Sequence, residues 1–299
     1  MDHKLTPSTA LLLVIPPFLW AGNAVVGRMV SELVPPITLN FLRWTIAFFI
    51  LLPLGYSIFR KDSGFWANRK RYAGLGLLGI GLYNALQYMA LHSSTPINVT
   101  LVGASMPVWM LLTGFLFFQA KVARKQVVGA AFSVIGVVVV LSHGEWRQLL
   151  GLRFVIGDLF MIVATIVWAF YSWSLIQSRD SEGVRRNWAT FLLAQMSFGV
   201  VWSGIFAAGE WTLTESTIQW GWPLAAALSY VAVGPAIIAF RCWGLGVQRA
   251  GPNTAGFFNN LTPLFAALMS SAFLGEMPQG YHAVAFVLIV TGIVLSSRR

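Results

Sequence analysis

The sequence predicts an all-α polytopic membrane protein: ten transmembrane helices that form two inverted five-helix repeats around a central cavity. The first observation is compositional. The chain of 299 residues is 57% hydrophobic and only 10% charged, whereas soluble domains carry about 25% charged residues. The second observation is a set of ten long apolar segments. The third is an internal repeat in which three residues recur 156 positions later: Pro96, Pro107 and Gly136 as Pro252, Pro263 and Gly292.

The ten apolar segments are each about as long as a helix must be to cross a bilayer, which takes about 20 residues. The connections between them are short, so no room remains for a soluble domain. We expect the first repeat over residues 1–145 and the second over 146–299. The predicted spans are 9–30, 36–58, 72–92, 97–118, 124–142, 154–177, 187–208, 221–243, 254–274 and 279–297.

The basic residues predict the orientation of the chain. Only Arg28, Arg147 and Arg153 lie toward one side of the membrane, and most of the other basic residues lie on the opposite side. This bias places both termini in the cytoplasm, and it accounts for the net charge of +10 without nucleic acid as a partner. The residues on the cytoplasmic side are Lys4, Arg60, Lys61, Arg69, Lys70, Arg71, Lys121, Arg124, Lys125, Arg179, Arg185, Arg186, Arg249, Arg298 and Arg299.

The repeat must be inverted, because five spans per copy is an odd number. A second sequence pair supports the duplication: Leu19-Trp20-Ala21 in the first span and Val167-Trp168-Ala169 in the sixth. Inverted repeats are typical of secondary transporters, in which the substrate binds near the bilayer midplane between the two copies. The sequence therefore favours a transporter.

Polar and aromatic side chains within the spans are candidates for a substrate-binding cavity, because polar groups avoid lipid. The alternative is structural: Trp and Tyr also form belts at the membrane interfaces, and Asn or Ser side chains often hydrogen-bond one helix to another. Joining helices seldom takes four polar groups within six residues, so the group at 83–88 favours the cavity. The candidates are Trp20, Asn23, Asn40, Arg43, Tyr83, Asn84, Gln87, Tyr88, Trp109, Trp168, Tyr171, Asn259 and Asn260.

Arg43 is the one formal charge well inside a predicted span. It either reaches to the membrane surface or a backbone carbonyl, or it contacts a substrate carboxylate. The matched prolines Pro107 and Pro263 are candidates for symmetric hinges, since each frees a backbone carbonyl. A rigid kink is the alternative reading of both prolines.

Residue types that the predicted spans lack narrow the possible functions further. No carboxylate lies at mid-membrane, which favours a facilitator over a proton-coupled carrier, although Asp158 or a tyrosine could take part. No catalytic or metal-binding motif is present, so we expect neither an enzyme nor a cofactor. The single cysteine, Cys242, cannot form an internal disulfide. A small-molecule channel is the alternative from another class.

Several motifs together resemble the drug/metabolite transporter superfamily, EamA type, over nearly the whole chain. Within it, the sequence is most similar to the YddG group of bacterial amino-acid exporters. The first repeat departs from the pattern, because Gln119-Ala120 stand where the second has Gly275-Glu276. The motifs are Leu19-Trp20-Ala21, Leu42-Arg43-Trp44, Gly157-Asp158, Pro263 and Leu274-Gly275-Glu276.

The resemblance implies export of aromatic and other neutral amino acids from a bacterial cytoplasm across the inner membrane. The expected partners are a small-molecule substrate and membrane lipid, with the chain as a monomer or weak homodimer. Candidate residues rich in Trp, Tyr, Asn and Gln suit a zwitterion with an apolar or aromatic side chain. Other metabolites or lipophilic drugs are the alternative cargo.

Overall fold

A computed structural model describes residues 5–94, 96–151, 153–177, 180–185, 187–274 and 279–297. The described chain contains helices, turns and short connections, with no strand among these residues. Nine of its helical segments are long and apolar enough to cross a membrane. The segment predicted at 254–274 is not among these nine, so a count of ten spans stays a prediction.

The helices are numbered α1 to α10 after the predicted spans. Two of them, α4 and α9, are each broken into a first part (a) and a second part (b). The bounds are α1 Pro7–Met29, α2 Pro36–Gly55, α3 Arg69–Gly76 with Leu77–Leu82 and Tyr83–Ser93, α4a Pro96–Gly103, α4b Met106–Phe118, α5 Arg124–Leu141, α6 Ile156–Leu175, α7 Trp188–Leu213, α8 Trp222–Val231 with Ala232–Ile238 and Ala239–Ala250, α9a Pro252–Phe258, α9b Leu261–Leu274 and α10 Gly280–Ser297.

Every helix begins within three residues of its predicted start, but two predicted ends are wrong. Helix α7 continues beyond residue 208 to Leu213, and α8 continues beyond residue 243 to Ala250. The extra turns carry Glu210 and Trp211 in α7 and Gln248 and Arg249 in α8. Polar residues end an apolar segment in the sequence, whereas the backbone stays helical into the interfacial region where such side chains are solvated.

Helices α5 and α10 pack together in opposite directions. A Cβ atom built on Gly129 would lie 2.7 Å from the Gly292 carbonyl oxygen, and one built on Gly292 would lie 2.6 Å from the Gly129 carbonyl oxygen. Gly136, which is the repeat mate of Gly292, faces Ala285 and Ile289 in the same way. Small residues allow this close approach of two backbones. The contact is therefore reciprocal between matched positions.

Matched contacts also occur in two further pairs of matched helices, α2 with α7 and α4 with α9. In α2 and α7, Gly55 faces Ala189 while Gly204 faces Phe41, so these helices also run antiparallel. In α4 and α9, the Asn260 side-chain amide donates a hydrogen bond of 3.1 Å to the carbonyl of Ala104, the residue 156 positions earlier. The two repeats are thus related by a pseudo-two-fold axis and face opposite ways, as predicted.

Irregular backbone also occurs at matched places. The π-helical segments Leu77–Leu82 in α3 and Ala232–Ile238 in α8 overlap when the 156-residue offset is applied. The breaks that follow Gly103 and Phe258 are matched as well. Pro107 and Pro263 lie in the first turn of α4b and α9b, just after these breaks. Their role as hinges stays a prediction, as does the division of the chain at residues 145 and 146.

A buried ion-pair cluster ties the two repeats together on the face where α1 begins, which we call the basic face. The Asp180 carboxylate, between α6 and α7, lies 2.8 Å from Arg71 Nε of α3 and 2.6 Å from Arg185 Nη2. Burial opposes ionisation of Asp180, but the hydrogen bonds and charges of the two arginines outweigh it and hold its pKa below the usual value.

We expect Asp180→Asn to lower the free energy of unfolding by about 2 kcal/mol at pH 7, less than for a fully buried pair because Arg185 is partly exposed. A carboxyl group whose pKa is lowered on folding stabilises above its unfolded-state pKa of 3.8. That stabilisation is lost as the pH falls through the folded-state value. Thermal unfolding between pH 7 and pH 3 should show the variant's deficit shrinking with acid.

Asp62→Asn is the matched control, because Asp62 is exposed on the same face. A deficit of equal size in both variants would contradict the role given to Asp180.

We also expect Gly129→Ala and Gly292→Ala each to lower the unfolding temperature in detergent, because the new methyl group would meet a backbone carbonyl oxygen of the partner helix. Gly209→Ala in α7 is the control, since a Cβ atom there has no neighbour within 4 Å. Alanine also favours the helix over glycine. Unfolding temperatures that are unchanged in all three variants would contradict the packing of α5 on α10.

Candidate functional site

Six aromatic side chains fill the space between the two repeats, and we call them the aromatic cluster. At its centre the repeat mates Trp20 and Trp168 contact each other edge to face, with ring centroids 5.3 Å apart. The pseudo-two-fold axis therefore passes between these two indoles. The Trp168 ring is also 4.7 Å from Tyr83 and 5.0 Å from Tyr171. The members of the cluster are Trp20, Tyr83, Trp168, Tyr171, Phe240 and Trp243.

Arg43 lies beside the aromatic cluster and is only 3% exposed. Its guanidinium group donates to three side-chain amide oxygens: Asn23 at 3.1 Å, Asn40 at 2.8 Å and Asn84 at 2.7 Å. It therefore neither extends to the surface nor relies on a backbone carbonyl. We call these four residues the Arg43 cluster; it joins α1, α2 and α3. The Arg43 Nε atom is buried without a hydrogen-bond partner in the described part of the chain.

A second polar pair occupies the matched position in the other repeat. The Tyr171 hydroxyl of α6 donates to Gln195 Oε1 of α7 at 2.9 Å. Gln195 is the eighth residue of α7, and Arg43 is the eighth residue of α2. Each repeat thus joins its first two helices through a buried polar contact, with a cation in one copy and a neutral amide in the other.

A cavity of about 190 Å³, which we call the vestibule, lies between α6, α7 and α8 at the basic face. It reaches inward to Tyr171, Gln195 and Phe240, and its outer part is lined by Arg185 and Arg241, among others. At the matched position of the first repeat, the Arg43 cluster joins α1, α2 and α3 through hydrogen bonds. A larger cavity of about 320 Å³ lies at the ends of α4b and α6, but none of the predicted site residues lines it.

The other predicted residues lie outside the aromatic cluster and the Arg43 cluster. Gln87 and Tyr88 lie half-buried on α3 and form no side-chain hydrogen bond within the described residues. Trp109 donates to Ser105 within its own helix, at 3.0 Å. Asn260 is buried and donates to Ala104 and Ser133, so it holds α9 against α4 and α5.

Asn259 is half-buried at the break in α9, and its side-chain NH₂ group has no hydrogen-bond partner among the described residues. No hydrogen bond or ring contact in the described chain joins Trp109, Asn259 or Asn260 to the aromatic cluster or the Arg43 cluster.

Phe240 and Trp243 were not among the predicted site residues, although both belong to the aromatic cluster and Phe240 also lines the vestibule. The sequence contained a signal for both. Phe240 and Trp243 stand 156 residues after Asn84 and Gln87, so the repeat offset places them at the matched positions of α8. The site is therefore polar on the α3 side and aromatic on the α8 side.

The carboxylates nearest to the spans are engaged at helix N-termini on the opposite face. Asp158 accepts hydrogen bonds from the Val155 backbone N–H at 2.9 Å and from the Ser94 hydroxyl at 2.5 Å. Glu210 of α7 accepts a hydrogen bond of 2.7 Å from the backbone N–H of Thr38, which lies in the first turn of α2. A negative charge is stabilised there by the helix dipole. No metal-binding group of His, Cys, Asp or Glu occurs among the residues described.

The sequence profile of the EamA-like transporter family matches this chain twice, over residues 7–142 and 155–298. The chain is 23% identical to the aromatic amino acid exporter YddG of Ancylobacter novellus, over 98% of both chains. It is 23% identical to a probable amino-acid metabolite efflux pump of Salmonella typhimurium, over 96% of this chain and 93% of the relative. An uncharacterized transporter of Archaeoglobus fulgidus is also 23% identical, over 99% of both chains.

A solved crystal structure matches with a TM-score of 0.74 over 97% of this chain and 96% of that chain, at 23% identity. At this identity, the likeness shows the fold.

We expect Tyr83→Ala, Gln87→Ala and Trp168→Ala each to reduce transport by about tenfold without preventing membrane insertion, because Tyr83 and Trp168 belong to the aromatic cluster and Gln87 lies one turn from Tyr83 on α3. Removing a buried Trp also leaves a cavity that destabilises the protein. Thermal stability must therefore be measured beside flux, with Trp168→Phe as the conservative variant. Trp222→Ala is the control, because Trp222 is 87% exposed. Normal transport by all three variants would contradict the site.

Proposed function

The chain belongs to the EamA-like transporter family, and on that premise we propose that it exports aromatic and other neutral amino acids by alternating access. One observation carries the proposal above the others. The vestibule leads from the basic face to the aromatic cluster at the pseudo-two-fold axis, whereas hydrogen bonds around Arg43 join the three helices at the matched position of the first repeat.

The residues at the axis have the chemistry that such substrates require. Ring faces of Trp20, Trp168 and Trp243 can receive an aromatic or aliphatic side chain, and can attract an ammonium group as well. Amide groups of Asn23 and Gln195 can bind either end of a zwitterion. The buried guanidinium of Arg43 suits a carboxylate. One buried cation is too few for a polyanion such as a sugar phosphate.

The inverted repeats supply a second state of the transporter. If the contacts of α6, α7 and α8 and those of α1, α2 and α3 are exchanged, the vestibule closes and the matched space opens on the opposite face. The broken helices α4 and α9 and the π-helical segments of α3 and α8 are the matched places where such a change can occur. Rocking of one repeat against the other is the usual form of alternating access.

We propose that the basic face is cytoplasmic, with both termini on that side of a bacterial inner membrane, because basic loops stay inside. The vestibule then takes substrate from the cytoplasm, which is the direction of export. We further propose a facilitator that works as a monomer or weak homodimer. The contacts of Asp158 and Glu210 support the facilitator mechanism, because helix N-termini already engage both carboxylates.

The test is flux in proteoliposomes. We expect saturable uptake and counterflow of labelled phenylalanine or threonine, with a rate that does not depend on an imposed pH gradient. No transport of any neutral amino acid would contradict the proposed function. Flux that does not saturate and shows no counterflow would indicate a channel instead.

A further inference from the structure

We propose that this protein also carries aromatic monocarboxylates that lack an amino group, because its site is built to bind the carboxylate and has no anion for the ammonium group. The inference rests on the proposed function, and it extends the substrate class from amino acids to aryl carboxylates.

The first argument is the unmatched charge of Arg43. In the described chain, the ion pairs of the protein are those of Asp180 with Arg71 and Arg185. Arg43 is bonded to the neutral oxygens of three asparagines, although it is 3% exposed. A buried cation is normally paired with an anion, because amide dipoles replace only part of the lost hydration. An anionic ligand would complete this site.

The second argument is that the two unpartnered buried polar groups of the aromatic cluster and the Arg43 cluster are donors. Arg43 Nε and the indole Nε1 of Trp168 are both buried, and neither has a hydrogen-bond partner among the described residues. Both groups can only donate. The Tyr83 ring lies 4.7 Å from the Trp168 ring, and the next residue, Asn84, accepts a hydrogen bond from Arg43. The missing partner of each group is therefore an acceptor, such as a carboxylate oxygen.

The third argument is the sign of charge along the route. The vestibule is lined by Arg241 and by Arg185, which shares the Asp180 carboxylate with Arg71, and no Asp or Glu of the described chain lines it. Arg241 lies over the Trp188 ring at 4.3 Å and has no ion pair in the described chain. The carboxylates Asp158 and Glu210 are bonded to helix N-termini on the opposite face. This arrangement attracts an anion and repels a cation.

These observations define the substrate by its groups. An aromatic ring would occupy the aromatic cluster, and a carboxylate a few bonds away would pair with Arg43. Phenylalanine has both groups and an ammonium in addition. The ammonium of phenylalanine can contact ring faces. A ligand without the ammonium loses that contact but loses no ion pair with the protein. 3-Phenylpropionate therefore retains the required groups, whereas phenylalaninamide lacks the carboxylate.

The experiment is inhibition of labelled phenylalanine counterflow in proteoliposomes at pH 7.5, followed by direct uptake of labelled 3-phenylpropionate against protein-free liposomes. We expect 3-phenylpropionate to inhibit within about threefold of unlabelled phenylalanine and to be taken up with saturation. We expect phenylalaninamide to be about 100-fold weaker, since it leaves the guanidinium unpaired. Inhibition by phenylalaninamide that equals or exceeds that of 3-phenylpropionate would overturn the inference.

Arg43→Gln assigns the effect to this residue, and Arg249→Gln is the control with the same change in charge at an exposed position. We expect Arg43→Gln to abolish the preference for 3-phenylpropionate over phenylalaninamide and Arg249→Gln to keep it. An unchanged preference in Arg43→Gln would overturn the role of Arg43. If Arg43→Gln does not insert, Arg43→Lys should keep the preference with weaker binding, because a single ammonium cannot bind a carboxylate bidentately.

The two proposals fail in different ways. Transport of phenylalanine without transport of 3-phenylpropionate would leave the amino-acid exporter standing and refute the wider substrate class. Transport of 3-phenylpropionate without any neutral amino acid would support the carboxylate site and refute the proposed function. Transport of neither compound would refute both.

Discussion

The structure depends on one constraint: a polar group inside a bilayer must find its partner within the protein. The guanidinium of Arg43 meets this constraint through three asparagine oxygens from three different helices. The Trp20 indole donates to the Pro235 carbonyl, which lies in the π-helical segment of α8. Asn260, at the break in α9, holds the Ala104 carbonyl at the break in α4. The polar contacts thus fix which helices are neighbours, while the apolar surfaces could pack in many ways.

The symmetry of the frame and the asymmetry of the site have separate physical origins. The frame needs small residues and antiparallel helices at matched positions, as in the contacts of Gly129 and Gly136 with α10. The site instead differs between the copies: Asn84 and Gln87 of α3 correspond to Phe240 and Trp243 of α8. Two similar frames allow two states of comparable energy, which alternating access requires. In the proposed cycle, the difference in side chains would let one substrate meet Arg43 on one face and the aromatic cluster on the other.

Much of this arrangement could be predicted from the sequence, because it follows from local rules. The lengths of the apolar segments predicted where the helices begin. The constant offset of 156 residues between Pro96, Pro107 and Gly136 and their mates predicted the repeat. The predicted ends of α7 and α8 were wrong because the polar residues that follow the apolar segments stay helical in the interfacial region. The grouping of Asn23, Asn40, Asn84 and Arg43 could not be predicted, since it depends on how three helices are rotated about their axes. The π-helical segments and the contacts of Asn260 with Ala104 and Ser133 depend on tertiary packing in the same way.

The central claim is that two matched chambers open in turn. It is tested most directly by distance measurements between pairs of spin labels in nanodiscs, in a Cys242→Ser background. One pair, at Glu182 and Arg249, spans the vestibule face, and the other, at Met29 and Leu91, spans the opposite face; all four positions are exposed. We expect saturating phenylalanine to shorten the first distance and to lengthen the second. Two distances that stay constant, or that change in the same direction, would contradict alternating access.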